Sequence, residues 1–210
     1  MIVGVDEAGR GPLAGPVVGC ALYLANKPSF PVNPVRDNLS HGSNVRPRGT
    51  ISNGVKDSKE LSSSRREEIF PWIIKNSIFS VNIASSVEID KYNILGATFL
   101  AFNRAIKNLL IKAPHLKRAT FIIDGNIFRT HLKLDYICLE KADKKVKEVS
   151  CASIVAKVTR DYLMGLIDFL YPQWNFSGHK GYPTREHFSL IKENLLTPLH
   201  RRTFSPCQIP

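Results

Sequence analysis

The sequence predicts a single α/β domain with a helical C-terminal portion, and three observations predict it. The 210 residues suffice for one sizeable core and are too few for two comfortable ones. Hydrophobic residues make up 43% and charged residues 22%, a globular balance that excludes disorder throughout. Short β-branched or apolar runs come first along the chain, and later ones alternate with segments of helical period.

The elements follow in order. Residues 2–5 and 17–24 read as a β-hairpin around the Gly/Pro-rich stretch 8–16. From residue 26 to 55 Pro28, Pro31, Pro34 and Pro47 alternate with Asn, Ser, Gly and Arg, and apolar residues lose all pattern. That composition predicts a long, mobile loop, a tolerated surface insertion. Ser62 caps a helix running to Trp72, with Arg65, Arg66, Glu67 and Glu68 on its outer face. Residues 80–86 read as a third strand. Phe99, Leu100, Phe102, Ala105, Ile106, Leu109 and Leu110 recur at helical spacing and predict a helix over 97–111. Short buried strands follow at 119–123 and 136–139. Residues 149–170 and 185–196 make two more helices.

Charge gives the first hint of function. Lys and Arg outnumber Asp and Glu by 29 to 18, a net of +11. Such an excess favours a polyanionic partner, because neutralising phosphates releases condensed counterions. The 26–55 loop and Lys56 hold five basic residues (Lys27, Arg36, Arg46, Arg48, Lys56) against Asp37, so most of the excess belongs to the rest of the chain. No apolar run is expected to cross a bilayer, since charged or polar residues interrupt each one. The first residues meet Asp6 and Glu7 without a basic lead-in, unlike a signal peptide. Cys20, Cys138, Cys151 and Cys207 are scattered with no C-x-x-C spacing, which reads as buried free thiols in a reducing cytoplasm rather than disulfides or zinc ligands. The six histidines show no metal-ligand spacing, and Lys157, Arg160 and Asp161 read as a surface network at helical spacing.

Four acids fall where strands end. Asp6 and Glu7 close the first strand, Asp124 the fourth, and Asp143 follows the fifth just ahead of a helix. Ends of neighbouring strands in an α/β sheet converge, so these acids can share a pocket. Converging carboxylates repel, and burial raises the cost; divalent cations such as Mg2+ or Mn2+ relieve it. Taken singly, Asp124-Gly125-Asn126 reads as a turn and Asp143 as part of a solvated charge run.

The string Asp6-Glu7-Ala8-Gly9-Arg10-Gly11-Pro12-Leu13-Ala14-Gly15-Pro16-Val17 closely resembles the N-terminal signature of the ribonuclease HII family. The resemblance continues, in the family's order, through Asp57-Ser58-Lys59, Asp124-Gly125, the run from Ala152 to Asp161, Gly181-Tyr182-Pro183-Thr184 and the run from His200 to Phe204. It implies a ribonuclease H-like fold with a mixed five-stranded sheet flanked by helices. It also implies cleavage of the RNA strand of RNA–DNA hybrids and of single ribonucleotides embedded in duplex DNA, giving 5′-phosphate and 3′-hydroxyl ends by two-metal-ion catalysis. By position, Asp6, Glu7, Asp124 and Asp143 are similar to the catalytic carboxylates, the first three being the metal ligands. Gly9-Arg10-Gly11 resembles the loop that senses the ribose 2′-hydroxyl, the group that marks RNA at one position. Tyr182 resembles the tyrosine that stacks on the sugar after the ribonucleotide. Ser58 and Lys59 resemble a phosphate-binding pair, and Arg201 and Arg202 are expected to contact DNA phosphate. A monomer in the cytoplasm, acting in ribonucleotide removal during DNA replication and repair and without a membrane, completes the expectation.

Departures from the family pattern are local. Ala142 stands where Gly usually precedes the aspartate matched to Asp143, Lys144 and Val146 replace residues that are usually small or polar, and Glu60 takes a position that is commonly Lys. The 26–55 loop is longer than usual. Ribonuclease HIII shares the fold, but Arg10 between the signature glycines and the early position of Asp6 weigh against it. Two rivals from other classes are a non-catalytic hybrid-binding module and a small-molecule phosphatase; the latter leaves the basic surface and the glycine loop unexplained.

Overall fold

The computed structural model describes residues 1–25, 62–193 and 196–208, so the 26–55 loop and the Ser58–Lys59 pair lie outside the described residues. Five strands and five α-helices follow along them, with short 3₁₀ turns between: β1 (Ile2–Ala8), β2 (Val17–Leu24), α1 (Ser63–Asn76), β3 (Ser77–Ala84), α2 (Ser86–Lys112), β4 (Thr120–Asp124), β5 (Asp135–Leu139), α3 (Lys147–Leu170), the single turn α4 (Phe176–His179) and α5 (Arg185–Glu193). The five strands form one mixed sheet in the order β3-β2-β1-β4-β5. The β3-β2-β1 pairs are antiparallel, and β1-β4-β5 run parallel.

The alternation of side chains along β1 divides the interior. Val3 and Val5 face a core shared with Phe121 and Ile123 of β4 and with Phe102, Ile106 and Leu109 of α2. The opposite face packs Cys20, Leu22 and Leu24 of β2 against Ile69 and Ile73 of α1 and Cys151, Ile154 and Val155 of α3. Gly4 sits where α3 crosses β1. A Cβ there would stand 2.2 Å from the backbone of Glu148 and Val149, so only glycine admits the helix so close. A third cluster, around Trp174 and Phe176, seats the C-terminal portion on Met164 near the end of α3.

Several expectations shift. β3 begins at Ser77 and ends at Ala84 rather than 86, because Ser85 caps α2 in a capping box with Glu88. α2 therefore starts eleven residues before the expected 97. Its apolar period is broken at Asn93, which is left-handed (φ 57°) and accepts from the Leu95 and Gly96 N–H groups, capping the second half afresh. By length and composition alone α2 could cross a bilayer, contrary to the expectation that no run could. Phe99, Phe102, Ala105, Ile106 and Leu109 are buried against the sheet, as in a core helix. β5 is an exposed edge strand rather than a buried one: Tyr136 and Ile137 lie in the open. All four cysteines are free, and three are buried while Cys138 is half-buried.

Candidate active site

Asp6 and Glu7 lie inside the C-terminal half of β1, two and one residues before its end. β4 runs parallel to β1 with Val5 opposite Ile123, which brings Asp124 beside Asp6. Asp6 shares the face of Gly4 and so points at α3, where it is 4% exposed. Burial drives its carboxyl well above the usual carboxylate range, and the charges of Glu7 and Asp124 add to the rise. Ser153, hydrogen-bonded to Asp6, and Lys157 pull the other way. Lys157 Nζ donates to Ser153 Oγ at 2.6 Å, so an ammonium, a hydroxyl and a carboxylate form a chain from α3 to β1. The Glu7 N–H donates to Asp6 Oδ1 at 2.7 Å. Asp143 is buried in a 3₁₀ turn, Ala142–Lys144, and joins the group through its neighbour: the Ala142 N–H donates to Asp124 Oδ1 at 2.7 Å.

This donor set is all oxygen and anionic, and it suits a hard divalent cation. Its mutual repulsion, visible in the raised Asp6, is what such an ion would relieve. Among the described residues no three His, Cys, Asp or Glu side chains already form a closed ligand cluster. An ion here would take the rest of its shell from water or phosphate oxygens.

The chain leaves β1 into the loop 9–16, and two buried arginines organise it. Arg201 is 0% exposed; its guanidinium donates to the carbonyls of Gly9 (2.6 Å), Arg10 (2.9 Å) and Gly15 (2.9 and 3.1 Å). Arg160 is 1% exposed and donates to the carbonyls of Pro16, Ala14 and Lys180. Gly9 is left-handed (φ 97°), and a Cβ there would meet Arg160 Nε at 2.2 Å. Gly11 is different: a Cβ there would meet only the Tyr182 ring, at 3.9 Å. Arg10 reaches back to Glu7 at 3.6 Å, linking the loop to the carboxylates.

Tyr182 stands on the same rim, 45% exposed, with the Arg160 guanidinium 5.6 Å from its ring centre. Its turn is docked on the loop by the Leu13 N–H donating to the Gly181 carbonyl at 2.7 Å. Behind it His179, His187 and His200 stack among Trp174 and Phe176. Their hydrogen bonds fit one tautomer each. The Thr197 N–H donates to His200 Nδ1, His200 Nε2 donates to His187 Nε2 (3.1 Å), and His187 Nδ1 donates to the Tyr182 carbonyl (3.0 Å). Likewise the Gly181 N–H donates to His179 Nδ1, and His179 Nε2 donates to the Trp174 carbonyl.

The structure thus brings together Asp6, Glu7 and Asp124, attaches Asp143, and sets Gly9, Arg10, Gly11 and Tyr182 alongside. Arg201 is a correction. It cannot meet DNA phosphate from a fully buried position with its donors spent on the loop. Arg202 is partly buried, its N–H bound to Asp90 and its guanidinium to the Leu196 carbonyl. The expected surface network on α3 is also corrected. Arg160 is interior, Lys157 turns toward Asp6, and Asp161 faces Arg66 across 3.8 Å. A signal for Arg160 existed: Ala156, Arg160 and Met164 recur every four residues on the buried stripe of α3. The histidine stack left no spacing signal, because its members come from three separate segments.

Comparison with known proteins fits this arrangement. The ribonuclease HII family profile matches residues 49–207. A ribonuclease HII of Thermotoga maritima is 40% identical over 206 residues, covering 98% of this chain and 74% of the relative. Among solved structures, the PCNA:RNase HII complex from Archaeoglobus fulgidus superposes with a TM-score of 0.68 at 22% identity, over 100% of this chain and 98% of that one. Bst-RNase HIII in complex with Mn2+ does so with a TM-score of 0.65 at 19% identity, over 98% and 67%. The shared fold is ribonuclease H-like.

Proposed function

The chain belongs to the ribonuclease HII family and is a ribonuclease H hydrolase, and we propose that it cleaves the RNA strand of RNA–DNA hybrids and nicks duplex DNA 5′ of single embedded ribonucleotides by two-metal-ion catalysis. The observation that carries the reading is the convergence of Asp6, Glu7 and Asp124 at the C-terminal ends of two parallel strands, beside an exposed glycine loop and Tyr182. Mg2+ or Mn2+ held by Asp6, Glu7 and Asp124, with Asp143 at hand, would supply activation of the attacking water and stabilisation of the leaving 3′-oxygen, giving 5′-phosphate and 3′-hydroxyl ends. The Mn2+ complex of Bst-RNase HIII supports a divalent ion of this kind.

The remaining work falls to the chain's own groups. The exposed Arg10 and Gly11 peptides approach the ribose without a side chain at Gly11 to hold it off. The Tyr182 ring stacks on the following sugar, where a 2′-hydroxyl would obstruct it, and so favours an RNA–DNA junction. The excess of Lys and Arg, Arg202 among them, attracts the phosphates on either side. The setting is ribonucleotide removal in DNA replication and repair, by a cytoplasmic monomer. The PCNA complex of the Archaeoglobus relative supports looking for a replication partner.

Cleavage of a DNA duplex containing one ribonucleotide, with Mg2+, Mn2+ or chelator and against an all-DNA control, tests this directly. A metal-dependent nick 5′ of the ribonucleotide is expected. Tight binding without a nick under any metal would replace the enzyme with a non-catalytic hybrid-binding module.

A further inference from the structure

Two cations lie fully buried beneath the loop, and among the described residues no carboxylate stands within ion-pairing distance of either. Burying unpaired charge is costly unless dipoles replace the lost water. Here the dipoles are carbonyls: Arg201 takes those of Gly9, Arg10 and Gly15, and Arg160 those of Ala14, Pro16 and Lys180. Burial, with Arg160 as a like-charged neighbour, lowers the Arg201 guanidinium to about 9.

The orientation of these carbonyls fixes something else. A trans peptide is planar, and its C=O and the following N–H point in opposite directions. Turning the Gly9 and Arg10 carbonyls inward onto Arg201 therefore turns the N–H groups of Arg10 and Gly11 outward. Both residues are exposed, and the face they present is the one bordered by Tyr182. A fork of several donors in one plane can gather three carbonyls; the single ammonium of a lysine cannot hold them in the same geometry.

We propose that Arg201, supported by Arg160, is a positioning residue that determines ribonucleotide recognition by aiming the Arg10 and Gly11 N–H groups at the substrate's 2′-hydroxyl. This rests on the reading that the loop senses that hydroxyl. The buried pair touches no substrate. It acts through the peptide groups it holds, and its positive charge adds a permanent attraction for the phosphates passing above.

The test is the ratio of affinities for a duplex with one ribonucleotide and for the same duplex in DNA alone. It is measured by fluorescence anisotropy with Mg2+ in an Asp124→Asn background, so that cleavage does not consume the probe. Arg201→Lys should reduce the ribonucleotide preference by roughly tenfold, the worth of one hydrogen bond, toward a ratio of one. The all-DNA affinity should stay within about twofold, since the surface charges are untouched. Arg160→Lys should do the same more weakly, since it holds the carbonyls of Ala14, Pro16 and Lys180 rather than those of Gly9 and Arg10. Both variants are read below their own unfolding midpoints, by circular dichroism. A role confined to stability would lower both affinities together or neither. Should Arg201→Lys not fold, Arg160→Lys decides alone. Full retention of the preference in the folded variant overturns the positioning role. Absence of any preference in the Asp124→Asn parent overturns instead the reading of the loop.

Discussion

The carboxylate cluster and the loop clamp occupy neighbouring parts of one rim and handle buried charge in opposite ways. At the ends of β1 and β4, Asp6 is pressed between burial and the like charges of Glu7 and Asp124. Under the loop 9–16, Arg160 and Arg201 are as deeply buried, yet each guanidinium is surrounded by carbonyl oxygens. In the first region Ser153 and Lys157 offset that repulsion only in part; the second is satisfied by carbonyls within the chain. Chemistry and scaffold are thus separable by charge: like charges that converge with only partial relief mark the candidate site, and a buried charge bonded to carbonyls on several sides holds the shape.

That contrast predicts opposite outcomes for charge removal. Asp6→Asn or Asp124→Asn should abolish cleavage, by on the order of a thousandfold or more, since each takes a ligand and a charge from the proposed metal site. In chelator the same variants should be no less stable than the parent, and Asp6→Asn more stable, because the repulsion from Glu7 and Asp124 disappears. Turnover assays beside thermal unfolding measure both. Near-normal cleavage would sink the metal assignment, and a large loss of stability would mean that the acids are structural.

Arg201→Met should behave in reverse. It leaves the Gly9, Arg10 and Gly15 carbonyls without their buried donor and costs about 3 kcal/mol or more of folding stability, read by urea unfolding. A variant as stable as the parent would show that water or a neighbour replaces the guanidinium without cost.

What the sequence revealed divides along the same line. β1, β2, β4 and the buried stripe of α2 were legible because local period and strand ends carry them, and so was the meeting of Asp6 with Asp124, which needs only two parallel neighbours. Arg201 was not legible. An arginine in a basic tail looks solvated until the chain is known to pass beneath the loop, with the Arg201 N–H donating to the Leu13 carbonyl and the Gly15 N–H to that of Leu199. The histidine stack is hidden for the same reason: His179, His187 and His200 meet only through tertiary folding. The first turns of α2 were lost because one left-handed residue, Asn93, resets the helical period. Long-range closure accounts for Arg201 and the histidines, and a local break in the period for the start of α2.

The histidine stack gives the contrast a pH dependence. Burial, then the facing His187, push His200 down to about 4, with Arg202 and His179 acting in the same direction and the Thr197 hydrogen bond against it. His187 is lowered too, chiefly by burial, while the Tyr182 and Gly181 backbone and Glu186 oppose the shift. With folded values below the ordinary 6.5, the unfolded chain takes up protons first as pH falls. The stability that the stack contributes is full above about pH 6.5 and is lost progressively toward about 4. Urea midpoints across that window should fall with pH, and His200→Gln should flatten the profile. An unchanged slope in that variant would remove His200 from the account.

The smallest effect on the fold is expected at Tyr182, whose place is fixed by its backbone rather than its ring. Its N–H donates to the His179 carbonyl, its carbonyl accepts from His187, and its neighbour Gly181 accepts from Leu13. The ring is nearly half exposed and touches Arg160 across 5.6 Å, a contact worth about 1 kcal/mol at most in such a setting. Tyr182→Ala should therefore leave the melting temperature almost unchanged and duplex binding within a few-fold. Cleavage at a single-ribonucleotide junction should drop about tenfold, about 1.4 kcal/mol, because the proposed sugar-stacking contact is gone at the reacting step alone. Comparing a junction substrate with a continuous hybrid isolates that term. A parallel fall on both would mean that Tyr182 only braces the loop, and the rim would then read the junction through the Arg10 and Gly11 peptides without help from the ring.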